Sequence, residues 1–99
     1  MAYTLQLSEN EVLHYFRTRG DLSRSTRIRI FTVLHSYLGE QGDHFRNDPT
    51  LRLAPGSDCF RFDVVVRSDE EDGLRLFRFV VSDREAEYGV LRVLFVEEV

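Results

Sequence analysis

Residues 59–99 most constrain the fold, because they contain three consecutive segments with the composition of β-strands. β-Branched and aromatic residues predominate in all three, and such residues fit a pleated, half-buried surface. Asp72-Gly73 supplies turn residues between the first two segments, because glycine adopts positive φ without steric cost. Residues 83–89 connect the second segment to the third. We therefore predict three sequential strands, at 60–66, 74–81 and 90–96.

Side-chain polarity selects one pairing register for the first two strands. Side chains alternate between the faces of a sheet, so a one-residue slip moves every side chain to the other face. With Arg67 opposite Leu74, one face is apolar except for Arg75 at its rim. The alternative register would bury Arg78 without an evident partner, which is costly. The predicted apolar face holds Phe60, Phe62, Val64, Val66, Phe77, Phe79 and Val81, completed by Leu91, Val93 and Phe95.

The opposite face of the predicted sheet mixes charged and apolar side chains. Each strand places one arginine near the middle of this face. Its predicted members are Arg61, Asp63, Val65, Leu76, Arg78, Val80, Arg92 and Leu94.

Length and composition indicate one globular domain spanning residues 1–99. The hydrophobic content of 42% and the charged content of 30% are typical of folded chains. The single cysteine, Cys59, excludes an intramolecular disulfide and a cysteine-rich zinc site. No apolar run approaches membrane-spanning length, and no signal-peptide pattern is present. We therefore expect a cytoplasmic protein that does not associate with membranes.

The charge is unevenly distributed along the chain. All 13 basic residues are arginine, and the net charge is −4. An acidic chain is not expected to bind nucleic acid strongly and non-specifically, because such binding relies on a basic surface. Residues 10–35 nevertheless carry +3, from five arginines and two acids, whereas residues 59–99 carry −4, from six arginines and ten acids.

The N-terminal segment has strand and helix-start signals. Residues 3–7 alternate apolar and polar side chains and predict a short strand, whose place in the sheet is left open. Ser8 and Glu11 form a capping-box pattern immediately before an apolar helical face. We predict that the first helix runs to Arg19 and stops at Gly20.

A second helix is predicted to start near Asp21 or Ser23 and to end at Gly39 and Gly42. A strand at 27–34 is the alternative, because Arg27-Ile28-Arg29-Ile30 alternates. The helix is favoured because helical spacing continues beyond the length of most strands. The apolar stripe consists of Ile30, Phe31, Leu34, Tyr37 and Leu38.

Residues 43–58 are predicted to form a connector anchored to the core by Phe45, Leu51 and Leu53. The resulting order is β-α-α-β-β-β. It predicts an α+β domain in which a helical hairpin packs on one face of an antiparallel sheet. Core positions in this arrangement are Phe62, Val64, Phe77, Phe79, Val93, Phe95, Ile30 and Leu34.

The chain lacks the common catalytic and cofactor motifs. There is no phosphate-binding glycine loop, no metalloprotease His-Glu pair and no nucleophile elbow. His14, His35 and His44 lack metal-ligand spacing. Cys59 has no basic activator beside it and is predicted to be a small buried residue at a strand start. We therefore predict no cofactor and no metal.

Two groups of arginines are the candidate functional residues. One group surrounds the predicted interhelical turn and is either a surface for an acidic partner or a solvated helical face. The other group lies on the open sheet face, where guanidinium groups could hold phosphate bidentately. The second group is alternatively the ordinary polar side of a one-sided sheet, with Asp63 pairing one arginine across strands. The groups are Arg17, Arg19, Arg24, Arg27 and Arg29, with Arg24 and Arg27 chosen as partner-binding, and Arg61, Arg78 and Arg92.

The order of elements and two short motifs resemble the RelE/ParE superfamily of toxins from bacterial toxin–antitoxin pairs. That family has an aromatic–Arg–aliphatic step on two adjacent strands, to which Phe60-Arg61-Phe62 and Phe77-Arg78-Phe79 are similar. Phe45-Arg46-Asn47-Asp48-Pro49, leading to Leu53, resembles its helix-exit segment, and residues 90–96 match its last strand. The resemblance covers nearly the whole chain.

This resemblance implies a toxin or toxin-derived protein that binds a protein partner, such as an antitoxin, on the open sheet face or the helical hairpin. It also implies an alternative, a RelE-like endoribonuclease in which Arg61, Arg78 and Arg92 steady a phosphate. Tyr88 or a histidine would then be the general acid or base. The family's last strand often carries histidine and basic residues, where this chain has Glu97-Glu98. A non-catalytic interaction module, including a homodimer, is the third alternative.

Overall fold

The computed structural model describes residues 2–69 and 73–99, which form two helical segments packed on a four-stranded sheet. The order along the chain is β-α-α-β-β-β, and the strands lie in the order β1-β4-β3-β2. This arrangement confirms the predicted α+β class and the three C-terminal strands. The strands are β1 Thr4–Leu7, β2 Cys59–Arg67, β3 Leu74–Ser82 and β4 Val90–Glu98.

The predicted register of β2 and β3 is confirmed. Arg67 lies opposite Leu74, and the two strands pair antiparallel from Cys59 to Arg67. The side chains that face the helices are buried at Phe60, Phe62, Val64, Val66, Phe77, Phe79 and Val81. Asp72 of the predicted turn lies outside the described residues, and Gly73 has a φ of 96°.

A β-bulge in β4 makes one predicted core residue wrong. Val80 pairs with Phe95 and Val81 pairs with Val93, so Leu94 is an extra residue without an opposite partner. An extra residue reverses the alternation of the strand beyond it. Phe95 is consequently 45% exposed on the side of the sheet away from the helices. Val96, which is only 2% exposed, takes the core position instead.

Strand β1 lies at the sheet edge beside β4 and runs parallel to it, from Thr4 opposite Val90 to Leu7 opposite Val93. The sheet is therefore mixed, and the antiparallel prediction holds for β2, β3 and β4. The backbone continues the pairing past the strand, because the Ser8 N–H donates to the Val93 carbonyl at 2.9 Å.

Helix α1 covers residues 9–17, as a π-helical turn at Glu9–Leu13 followed by an α-helical turn at His14–Arg17. Ser8 Oγ accepts from the Glu11 N–H at 3.3 Å, which confirms half of the capping box. The Ser8 N–H is committed to Val93, so it is not available to the Glu11 side chain. The helix ends before the predicted Arg19, because Thr18 Oγ1 donates to the carbonyl of His14 at 3.0 Å and caps it.

Helix α2 covers residues 24–46, as Arg24–Val33, a π-helical segment Leu34–Gly39 and Glu40–Arg46. Ser23 caps its start by accepting from the Thr26 N–H at 3.1 Å. The alternative strand at 27–34 is thereby excluded. The helix passes through Gly39 and Gly42, contrary to prediction, and is irregular at Gln41, where φ is −125°. Both glycines face β1, where a side chain would meet Tyr3.

Aromatic side chains join the helices to the sheet. Phe16 contacts Phe77 and Phe79 with centroid distances of 6.0 and 6.3 Å, and Phe45 meets Phe62 edge-on at 4.8 Å. Buried Ile30, Leu34 and Leu38 confirm the stripe of α2, but Tyr37 is 50% exposed. The predicted connector at 43–58 begins too early, because residues 43–46 belong to α2. Phe45, at the end of α2, and Leu51 pack on the core, whereas Leu53 is 54% exposed and bonds to β2 through its backbone N–H.

Candidate functional site

The sheet surface that the helices leave uncovered is called here the open face. It carries the side chains of alternate residues of β2 and β3, together with the outward residues of β4 on either side of the bulge. Its members are Arg61, Asp63, Val65, Leu76, Arg78, Val80, Arg92, Leu94, Phe95 and Glu97.

Asp63 is the centre of the charged part of the open face. It lies directly opposite Arg78, whose Nε and Nη2 donate to the two carboxylate oxygens at 3.0 and 3.1 Å. Arg61 Nε is 3.8 Å from Asp63 Oδ2. The hydrogen bond that Arg78 donates to Asp63 raises the pKa of Arg78, and burial opposes this rise. The predicted pairing of Asp63 with an arginine across strands is thus confirmed, and the arginine is Arg78.

Arg92 is separated from the other two sheet arginines. It lies opposite Ser82, and Ser82 is four residues along β3 from Arg78. At about 3.4 Å per residue, this offset is roughly 13 Å along the strand. Arg92 Nε donates to Glu85 Oε2 at 3.1 Å. The structure therefore brings Arg61 and Arg78 together and leaves Arg92 beside a different carboxylate.

Tyr88 lies in a 3₁₀ turn, Ala86–Tyr88, between β3 and β4, and is 77% exposed. Within residues 2–69 and 73–99, no hydrogen bond to its hydroxyl is found. Nothing in this part of the chain therefore directs the hydroxyl towards an arginine, as an acid or base would require.

Apolar side chains lie next to the charges of the open face. Val65 is 50% exposed, Leu94 38% and Phe95 45%. The bulge at Leu94 explains the exposure of Leu94 and Phe95 together, because it turns two successive apolar residues of β4 outward. The open face is thus amphipathic, as predicted, and Phe95 enlarges its apolar part.

The predicted basic cluster divides into separate contacts. Arg19 pairs with Asp21 and Glu98, each at 2.7 Å, and Arg29 pairs with Asp69 at 2.7 Å. The remaining arginines border a groove of about 490 Å³ between α1 and α2, called here the helical groove. Its lining is Leu13, Phe16, Ile28 and Phe31 with Arg17, Arg24 and Arg27.

Within the helical groove, the two arginines chosen from sequence have different surroundings. Arg27 Nη1 donates to the Phe16 carbonyl at 3.2 Å, which fixes it across the two helices. Arg24 is exposed, and no ion pair joins it to a described residue. The helical groove is therefore a second surface that combines an apolar floor with positive charge.

The histidines and Cys59 are not gathered into a site. His14, His35 and His44 are all exposed, and no cluster of metal-binding side chains occurs in the described part of the chain. Cys59 is half-buried at the start of β2, where burial and a 3.5 Å contact of its Sγ with Asp58 Oδ1 raise the pKa of the thiol.

An ion network around the buried Arg75, at the rim of the core, was not predicted. Arg75 donates from Nε and Nη2 to the Glu98 carboxylate at 2.7 Å each, and to Asp21 at 3.2 Å. Arg19 binds both acids from α1's C-terminal side. The hydrogen bond from Arg75 lowers the pKa of Glu98. Sequence alternation alone would place Glu98 on the open face, and only the bulge brings it beside Arg75.

No protein-family model, curated protein or solved structure matches this chain. None of the helices in the described ranges is both long enough and apolar enough to span a membrane.

Proposed function

We propose that this chain is a RelE/ParE-like toxin, or a protein derived from one, that acts by binding a protein partner on its open face. The observation that carries the proposal is the exposure of Leu94 and Phe95 on a sheet face that also bears arginine–carboxylate pairs. The toxin class comes from the resemblance of element order and of the two Phe-Arg-Phe steps.

The composition of the open face suits a protein partner. Aromatic residues and arginine are enriched at protein interfaces, and burying exposed apolar side chains against a partner stabilises the complex. Arg78 and Arg61 share one carboxylate, so an incoming acidic side chain can bind a guanidinium edge without displacing Asp63. The matching partner has apolar anchors flanked by carboxylates, such as an extended or helical antitoxin tail.

The alternative, a RelE-like endoribonuclease, makes heavier demands on the same residues. A phosphate would have to compete with Asp63 for Arg78 and with Glu85 for Arg92. The offset of roughly 13 Å between Arg78 and Arg92 also exceeds the reach of one phosphate group. Tyr88 would need to be directed to the reacting atoms by the substrate itself. These features favour binding over phosphate chemistry.

Expression and binding together test the proposal. The wild-type chain is expected to arrest growth when expressed, and a small antitoxin-like protein encoded beside it is expected to relieve the arrest. Purified, the two should form a complex that Phe95→Asp weakens by at least about tenfold, which corresponds to 1.4 kcal/mol. Leu53→Asp is the matched control, because Leu53 is 54% exposed and borders β2, away from β4.

Other outcomes identify the alternatives. Messenger RNA cleavage that requires Arg78 would favour the endoribonuclease. A harmless chain whose interactions are unaffected by Phe95→Asp would contradict the proposal and favour a plain interaction module. Ile28→Asp addresses the second surface, since Ile28 is 54% exposed in the helical groove. Loss of the complex in this variant alone would place the partner on the helices.

A further inference from the structure

The outer edge of strand β2 is open over most of its length. β2 is the terminal strand of the sheet on the side away from β1. Its first residues are covered, because Arg52 bridges Phe60 and the Leu53 N–H donates to the Cys59 carbonyl at 3.1 Å. Among residues 2–69 and 73–99, no further backbone group pairs with this edge. Within the described residues, the outward groups of Asp63, Val65 and Arg67 are therefore available to another strand.

The backbone groups that point outward can be identified from two hydrogen bonds. The Cys59 carbonyl points outward to Leu53, whereas the Asp58 carbonyl accepts from the Asp83 N–H at 2.9 Å on the β3 side. Successive residues of a strand direct their N–H and C=O groups to alternate sides. The outward groups beyond Cys59 are thus those of Arg61, Asp63, Val65 and Arg67.

We propose that two copies of this chain associate by antiparallel pairing of this edge, with Val65 of one copy opposite Val65 of the second. In this register Asp63 lies opposite Arg67 of the second copy, and Arg67 lies opposite its Asp63. These pairs have outward-pointing groups on both strands, so each exchanges two backbone hydrogen bonds.

The charges select this register over its neighbours. A shift by two residues places Asp63 opposite Asp63 in one direction and Arg67 opposite Arg67 in the other. Moving the centre by one residue places Arg61 opposite Arg67 in one direction, and in the other it places Arg67 opposite Val65, without an acidic partner. Like charges directly opposite one another destabilise a sheet. The register centred on Val65 is the one in which each Asp63 and each Arg67 lies opposite an oppositely charged residue, with Val65 opposite Val65.

The pairing would have a specific structural result. Directly opposed residues project to the same face of a sheet, so the two open faces would form one continuous surface of eight strands. Val65, which is 50% exposed in the single chain, would lie at its centre against its own copy. This inference goes beyond the proposed function, because it needs no antitoxin and uses the edge of β2 rather than Leu94 and Phe95.

Sedimentation of the purified chain over a wide concentration range tests the association. A reversible dimer is expected, and Arg67→Asp should raise its dissociation constant at least about tenfold, by placing acids opposite each other. Arg84→Asp makes the same charge change at a side chain that is 80% exposed and away from the edge, and should leave the constant unchanged. A monomer at every concentration, or a dimer insensitive to Arg67→Asp, would overturn the proposal.

A charge swap tests the register itself. Asp63→Arg should also weaken self-association, whereas an equimolar mixture of Asp63→Arg and Arg67→Asp should dimerise, because each mixed pair is complementary. Failure of the mixture to dimerise, with both variants folded, would overturn the register. Asp63 also binds Arg78, so folding of that variant needs a circular dichroism check.

Amide hydrogen exchange on the wild type is an independent readout that needs no variant. The N–H groups of Val65 and Arg67 should become protected as concentration rises, whereas those of Val64 and Val66 already pair with β3 and should not change. Concentration-independent exchange at Val65 would contradict the pairing.

Discussion

Phe79 lies directly opposite Val96 across strands β3 and β4, and both side chains are buried. The neighbouring Phe95 lies opposite Val80 on the other face of the sheet. A single extra residue, Leu94, thus decides which of two adjacent apolar side chains completes the core and which is exposed.

Alanine substitutions should distinguish the two phenylalanines. Phe79 is fully buried, so Phe79→Ala should lower the free energy of unfolding by about 3–5 kcal/mol. Phe95→Ala should cost about 1 kcal/mol, because much of that ring is already in contact with water. Urea denaturation measures both values. Equal losses would show that the bulge is not present in solution.

The glycines of α2 should respond oppositely to alanine. A Cβ at Gly42 would lie 2.8 Å from Tyr3 Cδ2 and 3.0 Å from Leu91 Cδ1, so Gly42→Ala should destabilise by roughly 1–3 kcal/mol. At Gly39 the nearest atom would be 3.5 Å away, and alanine should gain up to about 1 kcal/mol of helix propensity. Thermal or urea unfolding of the pair checks the difference, and destabilisation by both would indicate that β1 packs more closely than described.

The ion network at Arg75 should make stability depend on acid pH. The pKa of Glu98 is lowered in the folded chain, chiefly by the hydrogen bond from Arg75, from an unfolded value of about 4.3. A lowered pKa contributes stability above the unfolded value, and this contribution is lost as pH falls through the folded value. Glu98→Gln should therefore cost about 2 kcal/mol near neutral pH.

The same variant should show a shallower loss of stability than the wild type between about pH 5 and pH 3. Asp21, whose pKa is lowered mainly by the hydrogen bond from Arg19, should retain part of the dependence. Chemical denaturation at a series of pH values measures these slopes. Parallel curves for wild type and Glu98→Gln would contradict the role assigned to this carboxylate.

Cys59 should react slowly with alkylating reagents at neutral pH. Burial, and next the hydrogen bond with Asp58, raises the pKa of the thiol, and the thiolate is the reactive form. The midpoint of the pH–rate profile for iodoacetamide should therefore lie above about 8.5, the value of a free cysteine. Asp58→Asn should move the midpoint downward, and Glu87→Gln, at an exposed site, should not. A midpoint at or below that of free cysteine would contradict this account.

The register of β2 and β3 was predictable because it separates charged from apolar side chains. Arg78 decides it, since only one pairing keeps this residue out of the core. The bulge was not predictable, because Leu94, Phe95 and Val96 are all apolar and any of them can be the extra residue. The one available signal was the need of Arg75 for an acidic partner, which Glu98 meets in the observed register.

The helix ends and the arginine partners show the same distinction. Patterns within one segment can be seen in the sequence, whereas contacts between distant segments cannot. In the sequence, Gly39 and Gly42 look like residues that end a helix. In the structure they leave room for Tyr3 to pack against the helix, which depends on the position of β1. The predicted register places Asp63 opposite Arg78, so an ion pair between strands was one of the two interpretations of the open-face arginines that the sequence allowed. The separation of Arg92 from Arg78 depends on how far β4 is shifted along β3, and the sequence of the connecting residues 83–89 does not determine this shift.

The parallel pairing of β1 with β4 has a consequence for how the chain is made. The first strand leaves the ribosome about 90 residues before its partner strand is finished. At 5–20 residues per second, this delay is roughly 5–20 s. During synthesis, Leu5 and Leu7 have no strand to pair with until β4 emerges, so β1 cannot take its place in the sheet before the chain is nearly finished.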